Sequence, residues 1–75
     1  MNNSKDELNH QLEWTKERMK YLEVLEDKLK AMRYLAEDAA SDHITENHRQ
    51  QLNKEFQQFQ KEVNSMVQEW KSREN

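Results

Sequence analysis

Residues 52–70 read LNKEFQQFQKEVNSMVQEW, and this stretch decides the fold class. Its large apolar side chains recur at alternating steps of four and three residues, which is the spacing of a coiled-coil seam. The spacing predicts a helix over about residues 46–72 that buries one face against another helix. The seam of this second helix consists of Leu52, Phe56, Phe59, Val63, Met66 and Trp70.

The preceding segment predicts a longer helix, over about residues 5–40. Its apolar side chains begin at Leu8 and Leu12 and continue at steps of four and three. Two steps of three follow each other from Met19 through Leu22 to Leu25, and such a stammer shifts a seam around its helix. We expect the first helix to supply the other half of the hairpin core through Met19, Leu22, Leu25, Leu29, Met32 and Ala36.

A short turn at about residues 41–45 separates the two predicted helices. Thr45 is placed to cap the second helix, since Thr is a favoured N-cap residue. The chain has no glycine, so Asp42 is the residue best suited to a left-handed conformation after the first helix. Helices joined by so short a turn lie antiparallel. We therefore expect a single-domain all-α hairpin over residues 1–75, which pairs Leu29 with Phe56, Leu25 with Phe59, Leu22 with Val63 and Met19 with Met66.

The composition excludes several classes of protein. The 75 residues include no glycine, proline or cysteine, which argues against β-rich folds, glycine-lined phosphate loops, disulfides and thiolate metal sites. A mean hydropathy of −1.40 is typical of disordered chains, but the net charge is only −3 and the apolar residues are strongly periodic. Acidic residues outnumber basic ones by 15 to 12, which disfavours nucleic-acid binding and a membrane-surface helix.

The polar residues form no pattern that is typical of catalysis. His10, His43 and His48 lack the spacing of a metal site, and the serines have no accompanying base. Paired catalytic carboxylates need a desolvated pocket, which a two-helix hairpin does not offer. We expect no enzymatic activity, no cofactor and no metal. The start MNNSKDELNH is unlike a signal peptide and no long apolar run follows, so we expect a cytoplasmic protein.

Apolar surface remains after the hairpin has formed. Leu8 and Leu12 project toward or past the end of the second helix, and aromatic rings flank the main stripe of the first. A hairpin of this size gains little stability from its own core, and exposed apolar strips mark partner surfaces. We expect a homodimer that forms a four-helix bundle. The alternatives are that the rings only widen the hairpin core, or that a helix of another protein occupies the strip. The residues concerned are Leu8, Leu12, Trp14, Tyr21 and Tyr34.

One segment resembles a known family. The run LKAMRYLAEDAA at residues 29–40, followed by Thr45, Arg49 and Leu52, resembles the first rod-domain segment of bacterial flagellins. The similarity covers about residues 22–66. It implies a helix-turn-helix with a packing role, and it adds Arg33, Leu35 and Glu55 to the candidate partner surface. The terminal helices of the flagellin filament core have no counterpart in the sequence.

The resemblance favours a stand-alone, flagellin-like helical hairpin from a bacterium that acts through protein–protein contacts. The alternative function is a small regulator or chaperone that captures a helix of a partner, flagellar or otherwise. Export by a flagellar-type route remains compatible with the resemblance.

Overall fold

The computed structural model describes residues 3–74, which form two α-helices and no β-strand. Helix α1 spans Asn3–Ala39 and helix α2 spans Glu46–Glu74. The helices lie antiparallel, since contacts join residue 28 to residue 62 and residue 17 to residue 73. The chain is a narrow rod with extents of 66 × 18 × 11 Å. The all-α helical hairpin predicted from the sequence is confirmed.

Helix α2 turns one apolar face toward α1. Leu52 and Trp70 are the buried hydrophobic residues of the described chain, with 7% and 9% of their surface exposed. The side chains between them in the heptad pattern, Phe56, Phe59, Val63 and Met66, are half-buried. This is the face that the spacing of four and three indicated. Other positions of α2 are largely polar and exposed, among them Gln57, Gln58 and Gln60.

Helix α1 meets α2 through a stripe that differs from the predicted one. We call this stripe the inner seam. Its members recur at steps of four and three without interruption, and all are half-buried: Tyr21, Leu25, Lys28, Met32, Leu35 and Ala39. Leu25 and Met32 therefore lie in the hairpin core. The prediction that Met19, Leu22, Leu29 and Ala36 lie there is wrong, because all four are exposed. The pairings of Leu29 with Phe56, Leu22 with Val63 and Met19 with Met66 are wrong for the same reason.

Two contacts explain why the inner seam is the one that α2 covers. The ring of Tyr21 stacks on Trp70, which brings large aromatic surfaces together. Lys28 is tolerated between apolar neighbours because its ammonium lies 5.7 Å from the Phe59 ring and 3.5 Å from a carboxylate oxygen of Glu62. Its aliphatic stem covers apolar surface while its charge reaches a partner. Tyr21 and Leu35, which were predicted to contact a partner protein, are half-buried and belong to the inner seam.

The connection between the helices needs no left-handed residue. No positive φ occurs among the described residues, so the prediction of a left-handed Asp42 is wrong. Instead, the guanidinium of Arg49 donates hydrogen bonds to the carbonyl oxygens of Ala39 at 3.0 Å and Ser41 at 3.3 Å. A cation at the C-terminus of α1 also interacts favourably with the helix dipole. At the start of α2, the amide of His48 donates to Thr45 Oγ1 at 3.1 Å, as expected of an N-cap.

Candidate interaction surface

Helix α1 carries a second apolar stripe that α2 does not cover. We call it the outer stripe, and we define it by five side chains whose exposed fractions lie between 47% and 65%. Thr15 and Glu26 occupy the two heptad positions that interrupt the apolar run. Together these seven positions follow steps of four and three from residue 8 to residue 29 without a stammer. The five apolar residues are Leu8, Leu12, Met19, Leu22 and Leu29.

The outer stripe and the inner seam face different directions. Three inner-seam positions each precede an outer-stripe position by one residue, as Tyr21 precedes Leu22, so the two stripes are rotated by roughly 100° around α1. Helices of a four-helix bundle have two neighbours on adjacent sides, and α1 has apolar surface for both. Helix α2 has one such face. The hairpin is therefore asymmetric, with its uncovered apolar surface concentrated on α1.

The hairpin exposes more surface than a compact protein of its mass. Its accessible area is 6568 Å² for a chain of 9.2 kDa. A compact monomer of this mass exposes about 4,900 Å². The excess of roughly 1,600 Å² is of the size that each partner contributes to an obligate homodimer interface. Packing against a further helix pair would bring the exposed area into the ordinary range.

The N-terminal part of α1 extends past the end of α2. Arg73, near the end of α2, pairs with Glu17, and the ring of Trp14 lies 5.9 Å from that of Trp70. Residues 3–13 therefore project about 16 Å beyond the neighbouring helix. Two members of the outer stripe, Leu8 and Leu12, lie on this projecting segment. They were predicted to lack cover within the chain, and both are more than half exposed.

Charged side chains border the outer stripe. Lys30 pairs with Glu26 at 3.1 Å, and the hydrogen bond and charge of this carboxylate raise the pKa of Lys30 above its ordinary value. Arg33 pairs with Glu37 at 3.0 Å. Glu23 and Lys16 are exposed on the same side, about one turn and three turns before Glu26, and form no ion pair within the described residues. These two charges are free to meet a partner.

The other predicted partner residues are dispersed over the hairpin. Tyr34 is 65% exposed and lies off the outer stripe, while Trp14 is 41% exposed beneath the guanidinium of Arg18. Arg33 and Glu55 are exposed on different helices. The sequence predictions missed Lys16 and Glu23. Continuing the heptad that starts at residue 8 through Glu26 would have placed both beside the outer stripe.

The polar side chains of the described residues are exposed or half-buried. No polar or charged side chain is buried among the residues whose burial is described. No group of three or more His, Asp or Glu residues within residues 3–74 is arranged to hold a metal ion. His10, His43 and His48 are all exposed. Neither of the two helices has a stretch that is long and apolar enough to span a bilayer.

Comparisons with known proteins give no match for this chain. No protein-family model matches it. No curated protein and no solved structure is significantly similar to it.

Proposed function

We propose that the chain is a non-enzymatic protein–protein interaction module that associates with a second copy of itself. The observation that carries this proposal is the outer stripe of α1, whose heptad spacing has no stammer and whose five apolar side chains stay exposed once the hairpin has formed. Burial of such a stripe is the main driving force for helix association in water. Two hairpins joined in this way form a four-helix assembly.

The chemistry of the hairpin favours a second copy as the occupant. Helix α2 offers no second apolar face, so a partner that packs on α1 must bring its own stripe of matching period. Another copy of α1 supplies one of the same length and width. The surplus accessible area of the single hairpin also agrees with the area that a homodimer buries.

The resemblance to flagellins supports a packing role of the same kind. In that family the corresponding helices build a rod and contact neighbouring subunits. Of the three residues added by the resemblance, Arg33 and Glu55 are exposed and available to a neighbour, whereas Leu35 is half-buried in the inner seam. We therefore propose a bacterial flagellin-like hairpin that acts by packing against other helices.

A second candidate function is the capture of a helix from a different protein. The projecting segment of α1 favours it, because Leu8 and Leu12 lie beyond the reach of α2 and can receive a helix end. In this case the hairpin alone is a monomer, and association requires the partner. The alternative is distinguished from self-association by the molar mass of the isolated chain.

Sedimentation equilibrium of matched variants tests the proposal. The double substitution Met19→Gln with Leu22→Gln removes apolar surface from the centre of the outer stripe. Its control, Val24→Gln with Tyr34→Gln, removes exposed apolar surface of α1 that lies off the stripe. We expect the unmodified chain and the control to sediment as dimers, and the Met19/Leu22 variant to dissociate at least tenfold more readily.

Two outcomes would contradict the proposal. A control variant that dissociates as readily as the Met19/Leu22 variant would show that the outer stripe is not the contact surface. A monomeric unmodified chain with full helicity and a cooperative melt would exclude self-association and leave partner capture as the remaining candidate.

A further inference from the structure

We infer that the two copies pack α1 against α1 in antiparallel orientation, about a twofold axis that passes between the two helices, level with Lys20 and Tyr21. This inference rests on the proposed self-association and specifies its geometry. The order of residues in the outer stripe carries this inference. When two copies of residues 12–29 run in opposite directions, apolar stripe positions face apolar ones and polar stripe positions face polar ones. Met19 and Leu22 form the centre of the stripe, Thr15 and Glu26 lie next to them on either side, and Leu12 and Leu29 follow.

With this axis, the apolar residues of the stripe between Leu12 and Leu29 meet apolar residues of the other copy, while Leu8 lies level with Arg33 of the other copy at each end of the contact. Leu12 lies opposite Leu29 of the second copy, and Met19 lies opposite Leu22. The twofold axis repeats both layers, which gives four apolar layers, two adjacent at the centre and one beyond each Thr15–Glu26 layer. The two polar positions also meet each other, so that the hydroxyl of Thr15 faces the carboxylate of Glu26. A hydroxyl can donate a hydrogen bond to this carboxylate, which reduces the cost of removing it from water.

Other arrangements place charges against apolar or like-charged groups. A shift by one heptad in either direction sets the carboxylate of Glu26 opposite Leu22 or Leu8. A parallel pairing sets Glu26 opposite Glu26 and Arg33 opposite Arg33, and like charges in contact disfavour an interface. The antiparallel register centred between Lys20 and Tyr21 keeps the carboxylate of Glu26 away from apolar layers and from the same carboxylate of the other copy. It leaves only the exposed Arg33 beside Leu8 at the ends, where its long side chain reaches water.

Charges at the edge of the outer stripe agree with the same register. Lys16 of one copy then lies near Glu23 of the other, offset by about 3 Å along the helix axis. The twofold axis produces this pair twice. Neither side chain forms an ion pair within the described part of its own chain, so the contact would not compete with an existing bridge.

The position of α2 is compatible with this pairing. A twofold axis that relates antiparallel helices is perpendicular to the plane containing them, so equivalent flanks of the two α1 helices lie on the same side of that plane. Because α2 covers the flank formed by the inner seam, the two α2 helices also lie on one side. The four helices then form one bundle, and the Lys16–Glu23 pairs remain at its opposite, solvent-exposed edge.

Disulfide cross-linking tests the geometry without interference, since the chain has no cysteine of its own. Single variants Leu12→Cys and Leu29→Cys are prepared and oxidised separately and as a mixture. We expect a disulfide-linked dimer in the mixture and almost none in either variant alone. In the proposed register equivalent positions lie about 25 Å apart, which is beyond the reach of a disulfide.

Each result of the cross-linking supports or contradicts the geometry. Cross-linking of each variant with itself would show a parallel pairing and overturn the inference, while leaving self-association intact. If sedimentation shows dimers but the mixture forms no cross-link, the copies associate in another register or through another surface. A monomeric unmodified chain would remove the proposed function together with its geometry.

Charge reversal gives a second test of the register. We expect Lys16→Glu and Glu23→Lys each to weaken dimerisation by roughly threefold to tenfold, since each disrupts two exposed ion pairs. The double variant Lys16→Glu with Glu23→Lys restores the pairs and should regain the original affinity. Lys54→Glu on α2 is the control for net charge. If the double variant loses as much dimer affinity as the two single variants lose together, the two side chains do not contact each other.

Discussion

The ring of Tyr21 stacks on the ring of Trp70, with centroids 4.7 Å apart and planes inclined by 12°. Trp14 lies against the same indole, and Trp70 is one of the two buried hydrophobic residues. This cluster joins the helices at the end farthest from the turn, where α2 finishes beside α1. Because Tyr21 begins the inner seam, the stacking contact helps to determine which of the two stripes of α1 faces α2.

Removing the Tyr21 ring should therefore destabilise the hairpin. We expect Tyr21→Ala to lower the free energy of unfolding by about 2 kcal/mol, through lost apolar burial and lost stacking. Tyr21→Phe keeps the ring and should change it by less than about 0.5 kcal/mol. Urea denaturation followed by far-UV circular dichroism, at one fixed protein concentration, measures both values. Equal stability of the Ala and Phe variants would show that the stack contributes nothing.

Arg49 takes the role that a glycine cap commonly has at the end of a helix. We expect Arg49→Met to cost about 1–3 kcal/mol of stability, because it leaves the carbonyl oxygens of Ala39 and Ser41 without their charged donor. Arg33→Met is the matched control, since Arg33 pairs only with the exposed Glu37 one turn away. That pair should contribute less than about 0.5 kcal/mol.

The measurement for this prediction is again urea denaturation, combined with amide hydrogen exchange at the end of α1. Arg49→Met should increase exchange in the last turn of α1, whereas Arg33→Met should not. Equal losses of stability in the two variants would contradict a specific capping role for Arg49.

The two stripes of α1 should respond differently to leucine truncation. Leu25 lies in the inner seam, so Leu25→Ala should lower stability by about 2 kcal/mol or more at every protein concentration. Leu29 lies in the outer stripe, so Leu29→Ala should lower it mainly at concentrations where the chain is dimeric. Thermal melts of both variants over a range of concentrations separate the two effects. If Leu29→Ala lowers the stability of the dilute, monomeric chain more than Leu25→Ala does, the assignment of the two stripes is wrong.

The sequence was sufficient for the fold and for the face of α2. Helix α2 has one apolar stripe, so its period alone defines the buried residues from Leu52 to Trp70. The absence of glycine and proline left residues near Ser41 as the place for a turn, and Thr45 supplied the cap. Each of these signals is local, and no competing pattern overlaps with it.

The face of α1 could not be predicted in the same way, because α1 carries two overlapping stripes. One contains Glu26 and the other contains Lys28, so each has a charge within its apolar pattern. The sequence does not show that Lys28 has Phe59 and Glu62 as neighbours across the hairpin, and these contacts exist only after folding. The stammer inferred between Leu22 and Leu25 was a step from one stripe to the other.

The central claim is that α1 folds the hairpin with one stripe and binds a second copy with the other. Its most direct test is the molar mass and thermal midpoint of the unmodified chain over a roughly hundredfold range of protein concentration. We predict a mass of twice the 9.2 kDa of one chain at the upper end, and a midpoint that rises with concentration. A mass of one chain throughout, with a cooperative melt whose midpoint does not depend on concentration, would contradict the claim.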